Sequence, residues 1–230
     1  MSTNLTTTGI ILRRTNYGEA DRILTVLTPR NGQVSVMARS VRREKSRLAG
    51  GIELFAECGL GLVRGSMNTD GMWTLTSSRI ITFYNQIMSD YERLQFGYES
   101  IKQIAKLSND IESPDLYDIL KQTFASLNNS SSDVRLIKIW FYLHLASLQG
   151  NELNLLTDSN GMKLVEGANY DFDVAERVLI YNEDGRFDTD IIKLLRLLMA
   201  NPSEVIGRLR GLSDQNVAEA LYLAQAGAEV

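Results

Sequence analysis

The sequence predicts an α+β chain in two parts: a small, closed, five-stranded β-barrel over residues 1–80, then an α-helical domain over residues 81–230. Three observations carry this reading. Up to residue 80 the apolar residues fall in short, alternating, β-branched runs cut by glycines, and beyond it they recur every three to four residues. The charge changes sign at the same place, with 11 Lys/Arg against 6 Asp/Glu in residues 1–80 and 13 against 22 in residues 81–230. The most one-signed stretch of the chain, Arg39-Ser-Val-Arg-Arg-Glu-Lys-Ser-Arg47, lies in the first part, with Glu44 its single acid.

The first strand is expected over 8–13, rich in β-branched residues, with 16–19 turn-like. A second follows over 21–28. Pro29-Arg-Asn-Gly32 is a turn, Pro fixing φ and Asn-Gly tolerating positive φ. Residues 33–39 alternate Val34, Val36 and Ala38 against Ser35, Met37 and Arg39, as a half-buried strand does. The fourth strand spans 52–63, where Gly59 and Gly61 predict a bulge or a tight barrel bend. Residues 64–71 form a hairpin loop and 72–77 the fifth strand. Five short strands with glycine-marked corners fit a barrel such as the OB-fold.

The period then changes, with a seam near 79–84. A helix is expected over 90–107, and a second from Ser113-Pro114 to about 127, Ser capping and Pro in the first turn. Residues 133–149 are apolar nearly all round and predict the central helix of a bundle, stopped by Gly150. Residues 150–188 are an irregular loop region with one strand at 177–181. Helices resume at 189–199, at Asn201-Pro-Ser-Glu204 as a capping box, and at Ser213-Asp-Gln-Asn216, the last running to about 226 with Gly227 as its stop.

Composition bounds the chemistry. Hydrophobic content of 44% and charged content of 23% are those of a globular chain, and no apolar run approaches the ~20 residues of a bilayer span. The first residues lack the pattern of a signal peptide, so a cytoplasmic location is expected. The one cysteine, Cys58, excludes an intrachain disulfide and any multi-cysteine metal site. The one histidine, His144, lies in the most apolar helix and reads as a packed side chain. No Ser-His-Asp or Cys-His system and no phosphate-binding loop can be assembled, so neither catalytic residues nor a cofactor is expected.

A basic loop on a small β-domain can be a solvated surface, or it can neutralise phosphates along a nucleic acid. On the second reading, Arg14, Arg39, Arg42, Arg43, Lys45 and Arg47 are the phosphate contacts, with Arg13, Arg22 and Arg64 in reserve. Strand register leaves open which of Arg13 and Arg14 faces out. Tyr17 and Trp73 are candidate base-stacking residues, Trp73 being alternatively barrel core.

With Tyr17-Gly-Glu-Ala-Asp-Arg22 the pattern becomes specific. Together with Leu12-Arg-Arg14, Thr28-Pro-Arg-Asn-Gly32 and Val41-Arg-Arg-Glu-Lys-Ser-Arg-Leu48, it resembles the RecO family of bacterial recombination mediators; Glu53-Leu-Phe55, Arg64-Gly65 and Leu75-Thr76 continue the likeness. It is close over 8–80 and looser beyond. The resemblance implies an OB-fold followed by a helical domain, and binding of single- and double-stranded DNA. It further implies annealing of complementary strands, and action in the RecF pathway with RecR to load RecA onto strands covered by single-stranded-DNA-binding protein. It also implies a nucleoid-associated protein whose helical domain captures the acidic, apolar tail of that binding protein. Arg135, Lys138, Arg196, Arg208 and Arg210 are the cations available for this. Many members carry two Cys-x-x-Cys pairs that would fall near Thr157 and Asn160 and near Tyr181 and Asp184. This chain has no cysteine there, so zinc is not carried over and packing by Leu155, Leu164, Phe172 and Val178 is expected to hold the loop. Two other readings stand beside this one: a protein-interaction adaptor whose barrel has lost DNA binding, and a phosphoryl-transfer enzyme, which would need a carboxylate metal cluster.

Overall fold

Five strands close into a barrel in the order β1-β2-β3-β5-β4, the arrangement of an OB-fold: β1 (Thr3–Tyr17), β2 (Asp21–Thr28), β3 (Gly32–Ala38), β4 (Ala56–Arg64) and β5 (Trp73–Phe83). All neighbours are antiparallel except β3 and β5, which meet in parallel at Val36↔Trp73 and Met37↔Thr74. This computed structural model describes residues 2–65, 71–111 and 113–228. Alternation does what the sequence says it should: Leu24, Val26, Val36, Ala38, Leu60 and Leu62 turn inward to a core in which each is at most 2% exposed.

β3 is displaced by one residue from its expected bounds, and three strands depart further. β1 begins at Thr3, because Thr3 to Ile10 pair with β4 while Ile10 to Tyr17 pair with β2; one long strand serves both neighbours. β4 starts at Ala56, since Ala49–Gly51 forms a 3-10 turn and Phe55 has a φ of 55°. β5 runs on to Phe83 because β4 offers it partners as far as Ala56. The register of β4 on β5 shifts beside Gly61, as the glycines predicted. Residues 66–70 of the expected 64–71 hairpin loop lie outside the described residues.

By contact, the chain forms two units, residues 1–128 and 129–230. Sheet gives way to helix where the sequence puts its seam, but α1 (Tyr91–Leu107) and α2 (Asp115–Leu127) belong with the barrel. The reason is a buried polar link. Glu57, on β4 and 6% exposed, accepts the Tyr117 hydroxyl at 2.8 Å and the Lys121 ammonium at 2.9 Å. The Thr8 hydroxyl lies 3.2 Å from the same phenol oxygen. Burial and the Glu57 carboxylate push the Tyr117 phenol well above its ordinary range, so it stays a donor.

The second unit holds α3 (Val134–Leu148), a small hairpin of β6 (Tyr170–Asp173) and β7 (Val178–Tyr181), α4 (Thr189–Ala200) and α5 (Asp214–Ala228). Asp133, Asp188 and Ser213 cap the three helices through side-chain oxygens on their first free N–H groups. Asn201-Pro-Ser-Glu204 does not open an α-helix: the Asn201 amide donates back to Leu197, no side-chain cap forms, and the chain makes a 3-10 turn, Ser203–Arg208. Gly227 is not a stop either. It is a helical residue where a Cβ would stand 3.0 Å from Leu153 Cδ2, so it serves close packing.

Candidate nucleic-acid interface

The basic segment is a fixed loop. It leaves β3 through Ser40, whose φ is 55°. A non-glycine residue in that region costs about 1–3 kcal/mol unless its surroundings hold it. Here Asp21 does so, its Oδ1 accepting the Ser40 N–H at 2.7 Å. The Ala20 carbonyl accepts the Arg42 N–H at 2.9 Å, and the Gly18 carbonyl accepts Arg42 Nη1 at 3.1 Å. Val41, between them, is 3% exposed and joins the barrel core. At the far end Leu48 packs on the same core, and its carbonyl accepts the Ser78 hydroxyl at 2.9 Å. The apolar residues at the two ends of the basic run are therefore its anchors.

Arg39, just before the first anchor, and Arg42, Arg43, Lys45 and Arg47, between the two, are all exposed. Arg39, Arg43, Lys45 and Arg47 make no side-chain hydrogen bond or ion pair among the described residues. Five cations held this close against the single acid Glu44 raise the local potential and favour a polyanion.

The remaining predicted residues divide. Arg13 is exposed, and Arg14 is half-buried, with Nη1 2.8 Å from Glu53 Oε2 and 3.4 Å from the Ile52 carbonyl. Its charge is thus already balanced. Arg22 bonds Asn16, and Arg64 lies over the Trp73 ring at 4.7 Å. Tyr17 ends β1, opposite Asp21, with 55% of its surface exposed, beside the carbonyl that receives Arg42. Of the two readings of Trp73, the structure takes barrel core: it is 7% exposed and pairs inward beside Val36.

In the sequence, Asp21, Val41 and Leu48 stand only as letters of the motifs that carry the resemblance, with no anchoring role assigned to them. The apolar residues bracketing the cations were the available signal.

In the second unit the candidate cations do not gather. Arg135 sits 2.8 Å from Asp133 and 2.9 Å from Asp214, and hydrogen bonds to both hold its guanidinium above its ordinary pKa. Lys138 lies on the same helix and is half-buried. Arg196 Nε donates to the Leu155 carbonyl at 2.8 Å and lines a groove of about 720 Å3 with Leu153, Leu155, Leu156 and Met199. Arg208 and Arg210 are exposed, flanking Leu209 at the edge of a smaller leucine-lined groove of about 430 Å3.

The cysteine-free region is held by packing and carboxylate turns. Tyr170, Leu179 and Ile192 form its core with Leu164 and Phe172 against them, and Leu155 is buried nearby. Asp158 Oδ1 accepts the N–H groups of Asn160 and Met162 at 2.8 and 2.9 Å. Among the described residues no three His, Cys, Asp or Glu side chains are grouped to hold a metal, and no helix is long and apolar enough to cross a membrane. Burial pushes the Cys58 thiol up to about 11, which keeps it protonated and a poor nucleophile. His144 stacks on Trp140, donates Nδ1–H to its carbonyl at 2.8 Å, and is pushed by burial toward the neutral form.

Residues 1–84 match the family model described as "Recombination protein O N terminal". The chain is 30% identical over 212 residues to a DNA repair protein RecO of Dehalococcoides mccartyi strain 195, covering 89% of this chain and 81% of that relative. It is 32% identical over 212 residues to a DNA repair protein RecO of Roseiflexus sp. strain RS-1, covering 89% of this chain and 73% of the relative. Two thirds or more of each relative is therefore spanned at this identity, across both units, and the chain belongs to the RecO family.

Proposed function

We propose that this protein serves DNA repair and recombination as a non-enzymatic mediator. It binds single- and double-stranded DNA through the barrel, anneals complementary strands, and acts with RecR to help load RecA onto strands covered by single-stranded-DNA-binding protein. The observation that carries the DNA-binding step is the pinned 39–47 loop, four of whose cations have no partner among the described residues. Arg39, Arg42, Arg43, Lys45 and Arg47 contact phosphates; Arg14, balanced by Glu53, contributes less. Binding should weaken linearly with log salt, by roughly 0.7 log units per phosphate contacted on a single strand. Titrating a fluorescent oligonucleotide at several salt concentrations tests this. Salt-independent or absent binding would favour the adaptor reading.

Tyr17 supplies a base-stacking face beside the loop. Tyr17→Ala should weaken single-strand binding by about 1–3 kcal/mol, the usual range for one stacked base. An effect below about 1 kcal/mol in the same titration removes the stacking role.

For the tail of single-stranded-DNA-binding protein, the groove lined by Leu155, Leu156 and Met199 has the fitting chemistry. It is the larger apolar one, Arg196 hydrogen-bonds only the Leu155 carbonyl there, and Glu152 is the one acid in its lining. Leu156 is 70% exposed, so Leu156→Asp should leave folding intact and abolish calorimetric heat with a tail peptide. Heat lost only in an Arg208→Ala/Arg210→Ala variant would move the contact to the smaller groove.

A further inference from the structure

Among the described residues, Arg14 is the only cation of residues 1–80 with an acid partner. Its Nη1 lies 2.8 Å from Glu53 Oε2 and 3.4 Å from the Ile52 carbonyl. Nε and Nη2 make no hydrogen bond among the described residues, so one edge of the guanidinium fork is open. The contact to Glu53 is single rather than bidentate, and the two side chains are 25% and 41% exposed. A pair held this way is weak and can exchange its carboxylate for another anion.

Both partners are fixed close to the basic loop. Arg14 stands opposite Leu24 on β2, which stands opposite Val36 on β3, three residues before Arg39. Glu53 follows Leu48, the loop's second anchor, across the 3-10 turn Ala49–Gly51, and its backbone is held between buried Ile52 and Phe55. Strand spacing puts Arg14 within about 15 Å of the loop's start, and chain length puts Glu53 within about 15 Å of its end. Roughly five nucleotides of a strand span that distance even at helical rise.

We propose that Glu53 is an internal competitor for phosphate, which sets how firmly the barrel holds a strand. Without nucleic acid its carboxylate keeps Arg14. As a strand settles on residues 39–47, a phosphate takes the open Nε–Nη2 edge, the Glu53 carboxylate turns to solvent, and Arg14 becomes a further contact. When the strand leaves, Glu53 closes again. This rests on the single-strand-binding reading above and deepens it: a protein that anneals strands must also release them, and a contact with a competing acid beside it can be withdrawn. Glu44, the loop's own acid, is exposed and has no cation partner among the described residues, so it holds nothing in reserve.

The test is a double-mutant cycle in the full chain, read by binding of an oligothymidylate of about 12 nucleotides. Glu53→Gln keeps an acceptor for Nη1 but no charge to compete with phosphate. It should tighten binding by roughly 5-fold near 50 mM salt and steepen the log–log salt plot by about 0.7 units, the mark of one added phosphate contact. Arg14→Ala should then cost roughly 5-fold in the Glu53→Gln protein and about twofold or less in the unmodified one. Glu44→Gln, the same loss of charge on the loop itself, should tighten binding by an amount that Arg14→Ala leaves unaltered. If Arg14→Ala costs the same with and without Glu53→Gln, Glu53 acts only through net charge and the competitor is overturned. A Glu53→Gln protein that binds no more tightly than the unmodified one overturns it as well. If the unmodified protein shows no salt-dependent binding, the single-strand-binding reading itself fails and takes the competitor with it.

Discussion

Replacing Arg42, Arg43 and Lys45 together by Ala should lower affinity for a single-stranded oligonucleotide on the order of 10²-fold near 50 mM salt, and flatten the log–log salt plot by about 2 units. The three residues are exposed and lie on a loop whose backbone is fixed elsewhere, so the fold should survive their loss. Asp21→Ala separates charge from geometry. It removes an acid from a basic surface, and charge alone would then tighten binding. Asp21, however, holds the Ser40 N–H at 2.7 Å, where φ is 55°. Freeing that corner should loosen the loop and weaken binding several-fold. Filter binding or fluorescence anisotropy reads both variants, and tighter binding by Asp21→Ala would refute the positioning role.

Glu57→Ala should be the most destabilising single change outside the apolar core. It strips the Tyr117 hydroxyl and the Lys121 ammonium of their shared acceptor and leaves the buried phenol only its longer, 3.2 Å hydrogen bond to Thr8. Hydrogen bonds to a charged group contribute about 1.5–3 kcal/mol each. Lys121 is 43% exposed, so solvent replaces much of its share, and a loss of about 2–3 kcal/mol is expected. In a chain of this size that lowers the thermal midpoint by roughly 6–10 °C. Glu57→Gln keeps an acceptor for Tyr117 and should lose about half as much. Equal losses in differential scanning calorimetry would mean that the hydrogen bond to Tyr117 is not what matters.

The barrel was legible because its strands obey a local rule. Val34, Val36 and Ala38 alternate, and each of the five expected strands overlaps the one found there. Strand ends were less legible, since they depend on partners: Thr3 to Thr8 are strand only because β4 lies beside them, and β5 reaches Phe83 only because Ala56 faces it. The helix start at Ser213 was readable from its cap, whereas Asn201-Pro-Ser-Glu204 had the letters of a cap and a different use for its amide. Allocating α1 and α2 to the barrel required Glu57, Tyr117 and Lys121 to meet across sixty residues of chain, which no local pattern records. At the site, the cations stood out by charge. The roles of Asp21 and Ser78 did not, because both act by hydrogen bonds to backbone groups distant in sequence. Trp73 offered no outward sign of which way it faced, and the pairing of β3 with β5 turned it inward.

Annealing of two complementary oligonucleotides, followed by fluorescence quenching without any nucleotide cofactor, tests the central claim most directly. The unmodified protein should accelerate duplex formation, added salt should suppress the acceleration, and the Arg42/Arg43/Lys45→Ala variant should reduce it to near the protein-free rate. Acceleration that persists undiminished in that variant, or none at all with the unmodified protein, would contradict a mediator acting through the 39–47 loop.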